Sequence, residues 1–405
     1  MKKILIILLF SHLFSTGQQT IILLHGFMGW GRDEMGKYYY WGGFTDLQKY
    51  LQDEGFNVYT VSVGPISSNW DRAIEAYYQI KGGQVNYGVN HSEKYNLIQK
   101  PRQKKYKGLF KQWDDNNPIH IIAHSQGGQT ARMLEYILES KFDNEDSELL
   151  SNNLEGMIKS ITTIASPHNG TILADEITEN LPFLRNMTPF FGTLEESKIN
   201  NLYNFDLEQW GLVKFEEEST KDYLNRLANS PIIDSKNFSA WDLSIKGAKE
   251  FNDIYSSNKN VYYFSYPTYA TKELKNKNHI PDLNMPLMAW IPSIIIGKSG
   301  KVTDDWHMND GIVSTISMKY PINSKYESEP NKLFQKDNIE KGVWQVMNPI
   351  NQDHHSVIGH KLMGLNDDNM KLFYKEICTR LYLSLIHISE PTRQAEISYA
   401  VFCLK

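Results

Sequence analysis

Cysteine is almost missing from this sequence. Its 405 residues contain only Cys378 and Cys403, which excludes a disulfide framework and a multi-cysteine zinc cluster. Positive charge is also in short supply. With 42 Lys+Arg against 47 Asp+Glu and a formal net charge of -5, the chain lacks the basic balance of a general nucleic-acid binder. There is no internal repeat and no low-complexity linker, so a single domain with large insertions is favoured over two domains. Beyond the N-terminus no apolar run approaches the roughly 20 residues that span a bilayer. What the chain does have is apolar mass. At 41% apolar residues it can bury a core, which excludes a disordered chain. Its 23 Tyr, 18 Phe and 9 Trp leave room for an apolar or carbohydrate-facing surface.

The ends differ from the middle. Met1-Lys2-Lys3, the apolar stretch Ile4 to Phe10 and the small residues Ser15-Thr16-Gly17 have the order of a secretory signal. Residues 1–17 are therefore expected to be a cleaved leader and the mature protein to be secreted. Near the other end, Met370, Phe373, Tyr374, Ile377 and Leu381 recur at the spacing of an amphipathic closing helix. From residue 385 to 405 that periodicity stops. This tail, which includes Cys403, resembles translated sequencing-adapter read-through more than a protein module, leaving Cys378 as a lone buried thiol.

Between the ends, strands alternate with helical stretches. Thr20 to Leu24, Val58 to Val63, Ile119 to Ile122, Ser160 to Ala165 and Val261 to Phe264 read as strands. Continuous apolar runs of this kind belong to buried parallel sheets. Phe44, Leu47 and Leu51 mark a helix ending near Gly55, and a second helix begins near Gln126 and carries Met133, Leu134, Ile137 and Leu138. The expected fold is α/β, a mainly parallel sheet flanked by helices. Its insertions lie near 75–115, 170–255 and 270–305.

One motif carries chemistry. Ala123-His124-Ser125-Gln126-Gly127-Gly128 sits between an apolar strand and a helix, the context of a nucleophile elbow. There small residues flank a serine held in a strained turn. Ala123 stands where glycine is usual, and its size still fits. The helix start behind Ser125 favours developing negative charge. The ordinary alternative is a buried turn serine. An acyl-transfer serine also needs an oxyanion hole, normally the amide after the serine and one from an earlier strand–helix loop. Gln126 supplies the first. Phe27, in His25-Gly26-Phe27-Met28-Gly29 after the first strand, is the candidate for the second. The acid and the histidine should follow in that order. Asp310, in Asn309-Asp310-Gly311, and His354 satisfy it, but the residues alone do not separate His354 from His355 or His360, nor Asp310 from Asp304, Asp305 or Asp353.

Several stretches together resemble the secreted triacylglycerol lipases of staphylococci and thermophilic bacilli. They are His25 to Arg32, Val63 to Arg72, Ala123 to Ala131, Ala165 to Thr171, Asp206 to Leu212, Trp241 to Ser244 and Asn309 to Val313, spread over about residues 20–384. The resemblance implies an α/β-hydrolase domain over 18–384 with a triad of Ser125, Asp310 and His354 and an oxyanion hole at Phe27 and Gln126. It implies ester hydrolysis of triacylglycerols at a lipid–water interface, with no nucleic-acid partner and no integral membrane span. It also implies a lid over 170–220, where Phe183, Phe190, Phe191 and Trp210 lie. A structural zinc ion would be held by Asp71, His91 and Asp242, but Leu97 stands where the family has a fourth ligand, and leucine cannot coordinate. Calcium is not expected, because Ser356, Lys361 and Leu362 replace the family's carboxylates; Asp367 and Asp368 read as well as helix N-terminal residues. Asn90, Asn169, Asn186 and Asn237 open glycosylation sequons that matter only if a eukaryote secretes the protein. Two other functions use the same residues differently: a phospholipase or general carboxylesterase with the same triad, and a non-catalytic lipid-binding relative.

Overall fold

Residues 20–24 and 119–124 are mostly apolar and carry little charge on either face, and a strand of that kind must be covered on both sides. The computed structural model, which describes residues 19–180, 205–215, 217–230, 235–328, 339–360 and 368–382, places them side by side at the centre of a sheet. The expected leader, the tail with Cys403, and Phe183, Phe190 and Phe191 lie outside the described residues.

The sheet has seven strands: β1 (Thr20–Leu24), β2 (Asn57–Val61), β3 (Ile119–His124), β4 (Ile158–Ile164), β5 (Tyr262–Tyr266), β6 (Lys325–Glu327) and β7 (Val343–Val346). Their order is β6-β7-β5-β4-β3-β1-β2, and every pairing is parallel. Alternate residues of one strand feed different cores, as the two-residue period requires. Ile22 and Leu24 join Ala73, Ile74 and Ile80 of α2 (Asn69–Lys81) and Leu134 and Ile137 of α3 (Gln126–Glu139). Ile21 and Leu23 face the other way, toward Leu47 and Leu51 of α1 (Leu47–Asp53) and Met370, Tyr374, Ile377 and Leu381 of the closing helix at 368–382. Each such aliphatic side chain contributes about 1.5–3 kcal/mol on burial. Cys378 lies in this second core, where burial pushes its thiol up to about 12.

One expectation needs correction. Phe44 is not on the apolar stripe of α1; it precedes the helix and is 83% exposed. The sheet also continues past the fifth strand: β7 pairs with β5, and the exposed three-residue β6 pairs with β7. Neither is long enough to stand out as an apolar run. Among the described residues no helix is long and apolar enough to cross a membrane.

Candidate active site

At the end of β3 the chain reverses into α3 through Ser125, whose φ of 56° and ψ of -131° are strained for a residue with a Cβ. Its surroundings hold it there. The Ser125 amide donates to the Ile164 carbonyl at 3.0 Å, and Gly128 N donates back to the Ser125 carbonyl at 3.0 Å. Two glycines make the turn possible. A Cβ on Gly127 would lie 2.3 Å from the Leu24 carbonyl oxygen, and one on Gly26 would lie 2.6 Å from the Ser125 Cβ. The first clash is with fixed backbone, and the second shows how closely the 25–29 loop approaches the serine.

Four distant segments converge on that serine. His354 Nε2 lies 2.9 Å from Ser125 Oγ, and His354 Nδ1 lies 2.7 Å from Asp310 Oδ2. The Asp310 carboxylate also accepts from Thr268 Oγ1 at 2.7 Å and from the amides of Ile312 and Val313 at 3.1 and 2.9 Å. Because the carboxylate accepts on every side, Nδ1 of His354 carries the proton, and Nε2 is left as an acceptor for the serine hydroxyl. The other candidates lie elsewhere. His360 Nε2 contacts the carbonyls of Tyr39 and Tyr40, His355 lies half-buried beside His354, and Asp353 caps the amides of His355 and Ser356. Asp304 and Asp305 sit in a short 3₁₀ turn.

A second set of buried groups joins these parts. Gly26 N donates to Tyr40 Oη at 2.9 Å, Tyr40 Oη lies 2.6 Å from His124 Nδ1, and His124 Nε2 lies 2.9 Å from the His354 carbonyl. A carbonyl can only accept, so Nε2 of His124 is the protonated nitrogen and the tyrosine donates to Nδ1. Burial holds His124 well below the ordinary histidine value, with the neighbouring His354 adding to the effect, so the ring is neutral. His25 is neutral for the same reason: burial, reinforced by Arg72, lowers it to about 3. It accepts from Val63 N at 3.1 Å, and its own carbonyl accepts from Arg72 Nη2 at 2.6 Å. Arg72 reaches on to the Gly64 carbonyl and Thr130 Oγ1, tying the 25–29 loop to α3. The sequence reading placed Arg72 inside a matching stretch without a role and did not single out Tyr40 or Thr268. Only the chain's path brings them to the site.

Gln126 supplies the first amide of α3, and a helix leaves that donor without an intrahelical acceptor. Its side chain is fixed by Ser239 Oγ, Asn69 Oδ1 and the Ser67 carbonyl. Phe27, beside the serine on the 25–29 loop, packs its ring against an apolar cluster of Ile66, Phe205, Leu207, Tyr223 and Phe238, which Trp210 joins.

The residues that the resemblance assigns to zinc are occupied by other partners within the protein: Asp71 and His91 bond each other, and Asp242 does not join them. Asp71 Oδ1 lies 2.8 Å from His91 Nε2, Asp71 Oδ2 accepts from Asn237 Nδ2 at 3.1 Å and Gln209 Nε2 at 3.3 Å, and Asp242 Oδ2 accepts from the Asn69 amide. Among the described residues no three His, Cys, Asp or Glu side chains are grouped to hold a metal. With Leu97 in the fourth place, this donor set does not fit a four-ligand zinc site. Lys361, Leu362 and Asp367 lie outside the described residues, and Asp368 opens the described part of the closing helix. Of the sequons, Asn237 is buried and Asn169 is bonded to Tyr320, Ile322 and Asn252, whereas Asn90 is exposed; Asn186 lies outside the described residues.

Residues 17–388 match the family model described as lipase-like, C-terminal domain. A lipase of Staphylococcus hyicus is 36% identical over 393 residues, covering 93% of this chain and 59% of that protein. Lipase 1 of Staphylococcus aureus (strain MRSA252) is 37% identical over 345 residues, covering 81% of this chain and 49% of that protein. The chain thus spans about half the length of the curated relatives it matches. The crystal structure of Staphylococcus hyicus lipase superposes with a TM-score of 0.79 at 34% identity, covering 93% of this chain and 98% of that one.

Proposed function

The chain belongs to the lipase-like C-terminal domain family, with an α/β-hydrolase fold, and from that premise we propose that it is a secreted lipase that hydrolyses carboxylic esters of triacylglycerols through Ser125, His354 and Asp310. The observation that carries this reading is the placement of His354 between Ser125 Oγ and Asp310 Oδ2, at 2.9 and 2.7 Å.

The chemistry follows from that placement. His354 Nε2 takes the hydroxyl proton as Ser125 Oγ bonds to the ester carbonyl carbon, and Asp310 stabilises the imidazolium that forms. The amides of Phe27 and Gln126 hold the oxyanion, where loss of one donor typically costs about 10²–10³ in kcat. Collapse breaks the bond to the alcohol, which leaves with the proton from His354. Water, deprotonated by the same nitrogen, then attacks the acyl-enzyme, and Ser125 recovers its proton as the fatty acid departs. No step uses a metal. The apolar cluster around Phe27 and Trp210 supports an apolar acyl group as the substrate's other half.

Labelling with a fluorophosphonate tests the mechanism. The probe is expected to map to Ser125, and Ser125→Ala should abolish both labelling and ester cleavage; unchanged esterase activity in that variant would sink it. Rates on triglyceride emulsions, phosphatidylcholine and soluble short-chain esters test the substrate class. Much faster cleavage of soluble esters than of any emulsion would reassign the protein as a carboxylesterase, and a preference for phosphatidylcholine would make it a phospholipase.

A further inference from the structure

The insertion near 270–305 carries a surface that the ester chemistry does not use. Its helix α4 (Leu287–Gly297) turns Ala289, Ser293, Ile296 and Gly297 inward. There it buttresses the Asp310 turn: a Cβ on Gly311 would lie 3.0 Å from the Ala289 Cβ, and Asn309 Nδ2 donates to the Ser293 carbonyl at 3.2 Å. The outward face should be polar on a water-facing helix. Instead it presents Leu287 at 78%, Met288 at 58% and Ile291 at 72% exposure, with Ile295 below them and Leu283, 90% exposed, just before the helix. These positions fall at i, i+1, i+4 and i+8, one continuous stripe. No Asp, Glu, Lys, Arg or His occurs from residue 283 to 297. Single exposed leucines are ordinary, but a contiguous apolar stripe of this size marks a surface that is covered in use.

Charge identifies what covers it. Over the insertion, residues 270–305, there are five lysines (272, 275, 277, 298 and 301) against Glu273, Asp282, Asp304 and Asp305, a local balance of +1 in a chain whose total is -5; Lys277 pairs with Glu273 and Lys301 with Glu176, which leaves Lys272, Lys275 and Lys298 to face outward. Lys298 follows the last turn of α4, and Lys272 and Lys275 stand exposed on the hairpin formed by Thr271–Glu273 and His279–Pro281. That hairpin packs on the end of the helix, where a Cβ on Gly297 would lie 2.3 Å from the His279 carbonyl oxygen. An uncharged apolar stripe rimmed by cations is the pattern of an interfacial helix: the side chains enter the acyl boundary while ammonium groups meet anionic headgroups. A second copy of the chain would set one lysine rim against another, which like-charge repulsion opposes.

We propose that the outer face of α4 seats the protein on an anionic lipid surface. The inference goes beyond the proposed ester chemistry and is tested apart from it, because binding is measured on Ser125→Ala protein. Co-sedimentation with phosphatidylglycerol vesicles should exceed that with phosphatidylcholine vesicles and should weaken with added salt. Leu287→Ser with Ile291→Ser should lower partitioning at least about tenfold. Lys275→Glu with Lys298→Glu should lower it on the anionic vesicles alone. Thermal unfolding and soluble-ester hydrolysis, measured in the same substitutions with Ser125 restored, should stay at the parental values. Undiminished vesicle binding by the apolar double variant would overturn the proposal. So would equal binding to both vesicle types, or a dimer in sedimentation velocity that the double variant abolishes.

Discussion

At the scale of single residues, the site depends on groups that perform no bond-making. Tyr40 accepts from Gly26 on the loop proposed to hold the oxyanion and donates to His124, which in turn holds the carbonyl of His354. Tyr40→Phe keeps the ring and removes both bonds, leaving a buried amide unpaired at a cost of about 1–3 kcal/mol. The expected result on a soluble ester is a fall in kcat of about tenfold with KM within twofold, since the loop and the base shift while acyl contacts remain. An unchanged fluorophosphonate labelling rate would count against this role. Thr268→Val removes one of the donors to Asp310 and should lower kcat more modestly, with an altered pH–rate profile that a purely structural role would not produce. Ser125 was legible because its signal is local: the small residues that the elbow needs lie within a few positions of it. The rest of the constellation was not local. His355, His360 and Asp353 have the same chemistry as the residues at the site and differ only in where the chain carries them. Tyr40 and Thr268 gain meaning only as partners of groups 84 and 42 positions away.

At the scale of elements, the turn and the caps position these side chains. Gly127 has backbone oxygens of Leu24 and His25 at 2.3 and 2.8 Å from where a Cβ would sit, and backbone in a central strand cannot give way. Gly127→Ala should therefore destabilise the fold by about 1–3 kcal/mol or more, the cost of forced overpacking, with activity lost alongside; a soluble variant with parental melting and turnover would refute this. Ser68 is a gentler probe. It caps α2, accepting from the Asp71 amide at 3.2 Å while donating to Asn237 Oδ1 at 2.6 Å. Ser68→Ala should cost about 1–2 kcal/mol, read as a shifted denaturant midpoint at unchanged slope. Strands β1, β3, β4 and β5 were readable because they are buried along nearly their whole length, and β2, where only Val58 and Val61 are fully buried, was readable from its β-branched and aromatic run. The edge strand β6 was not, since its three residues are all exposed and take their conformation from pairing with β7. Phe44 was misplaced because apolar spacing matched a helix whose first turn begins later, after the Asp46 cap.

At the scale of the whole molecule, opposed sets of buried groups shape stability against pH. His25, His120 and His355 are lowered to about 3, and His124 and His168 well below the usual value, in each case first by burial. Glu135 is raised to about 8, and Asp206 and Asp242 to about 7, also first by burial. Unfolding returns the histidines to about 6.5, so below that pH the unfolded chain binds protons that the folded chain refuses, and stability falls as the solution is acidified. The acids act in the other direction. Once the pH exceeds their unfolded values near 4, the folded chain keeps protons that the unfolded chain releases, and stability falls as pH rises through 7 and 8. Each uncompensated proton changes stability by about 1.4 kcal/mol per pH unit. Between about pH 4.5 and 6.5 the lowered histidines, which also include His279 and His360, outnumber the raised acids, to which Glu139 adds, and this leaves a net excess of protons in the unfolded state and a rising curve. Above 6.5 only the acids still act, and the curve descends. Stability measured by chemical denaturation should therefore peak near pH 6.5. His120 lies at the start of β3, bonded to Ser160 and Gln19 and away from the serine, so His120→Gln tests the acid arm without touching the site and should reduce its slope by about one proton. Glu135→Gln keeps an acceptor for the Tyr263 hydroxyl and should flatten the alkaline arm by a similar amount. If both variants keep the parental slopes on their respective arms, neither ring nor carboxyl is held neutral by burial, and the pH dependence arises elsewhere in the chain.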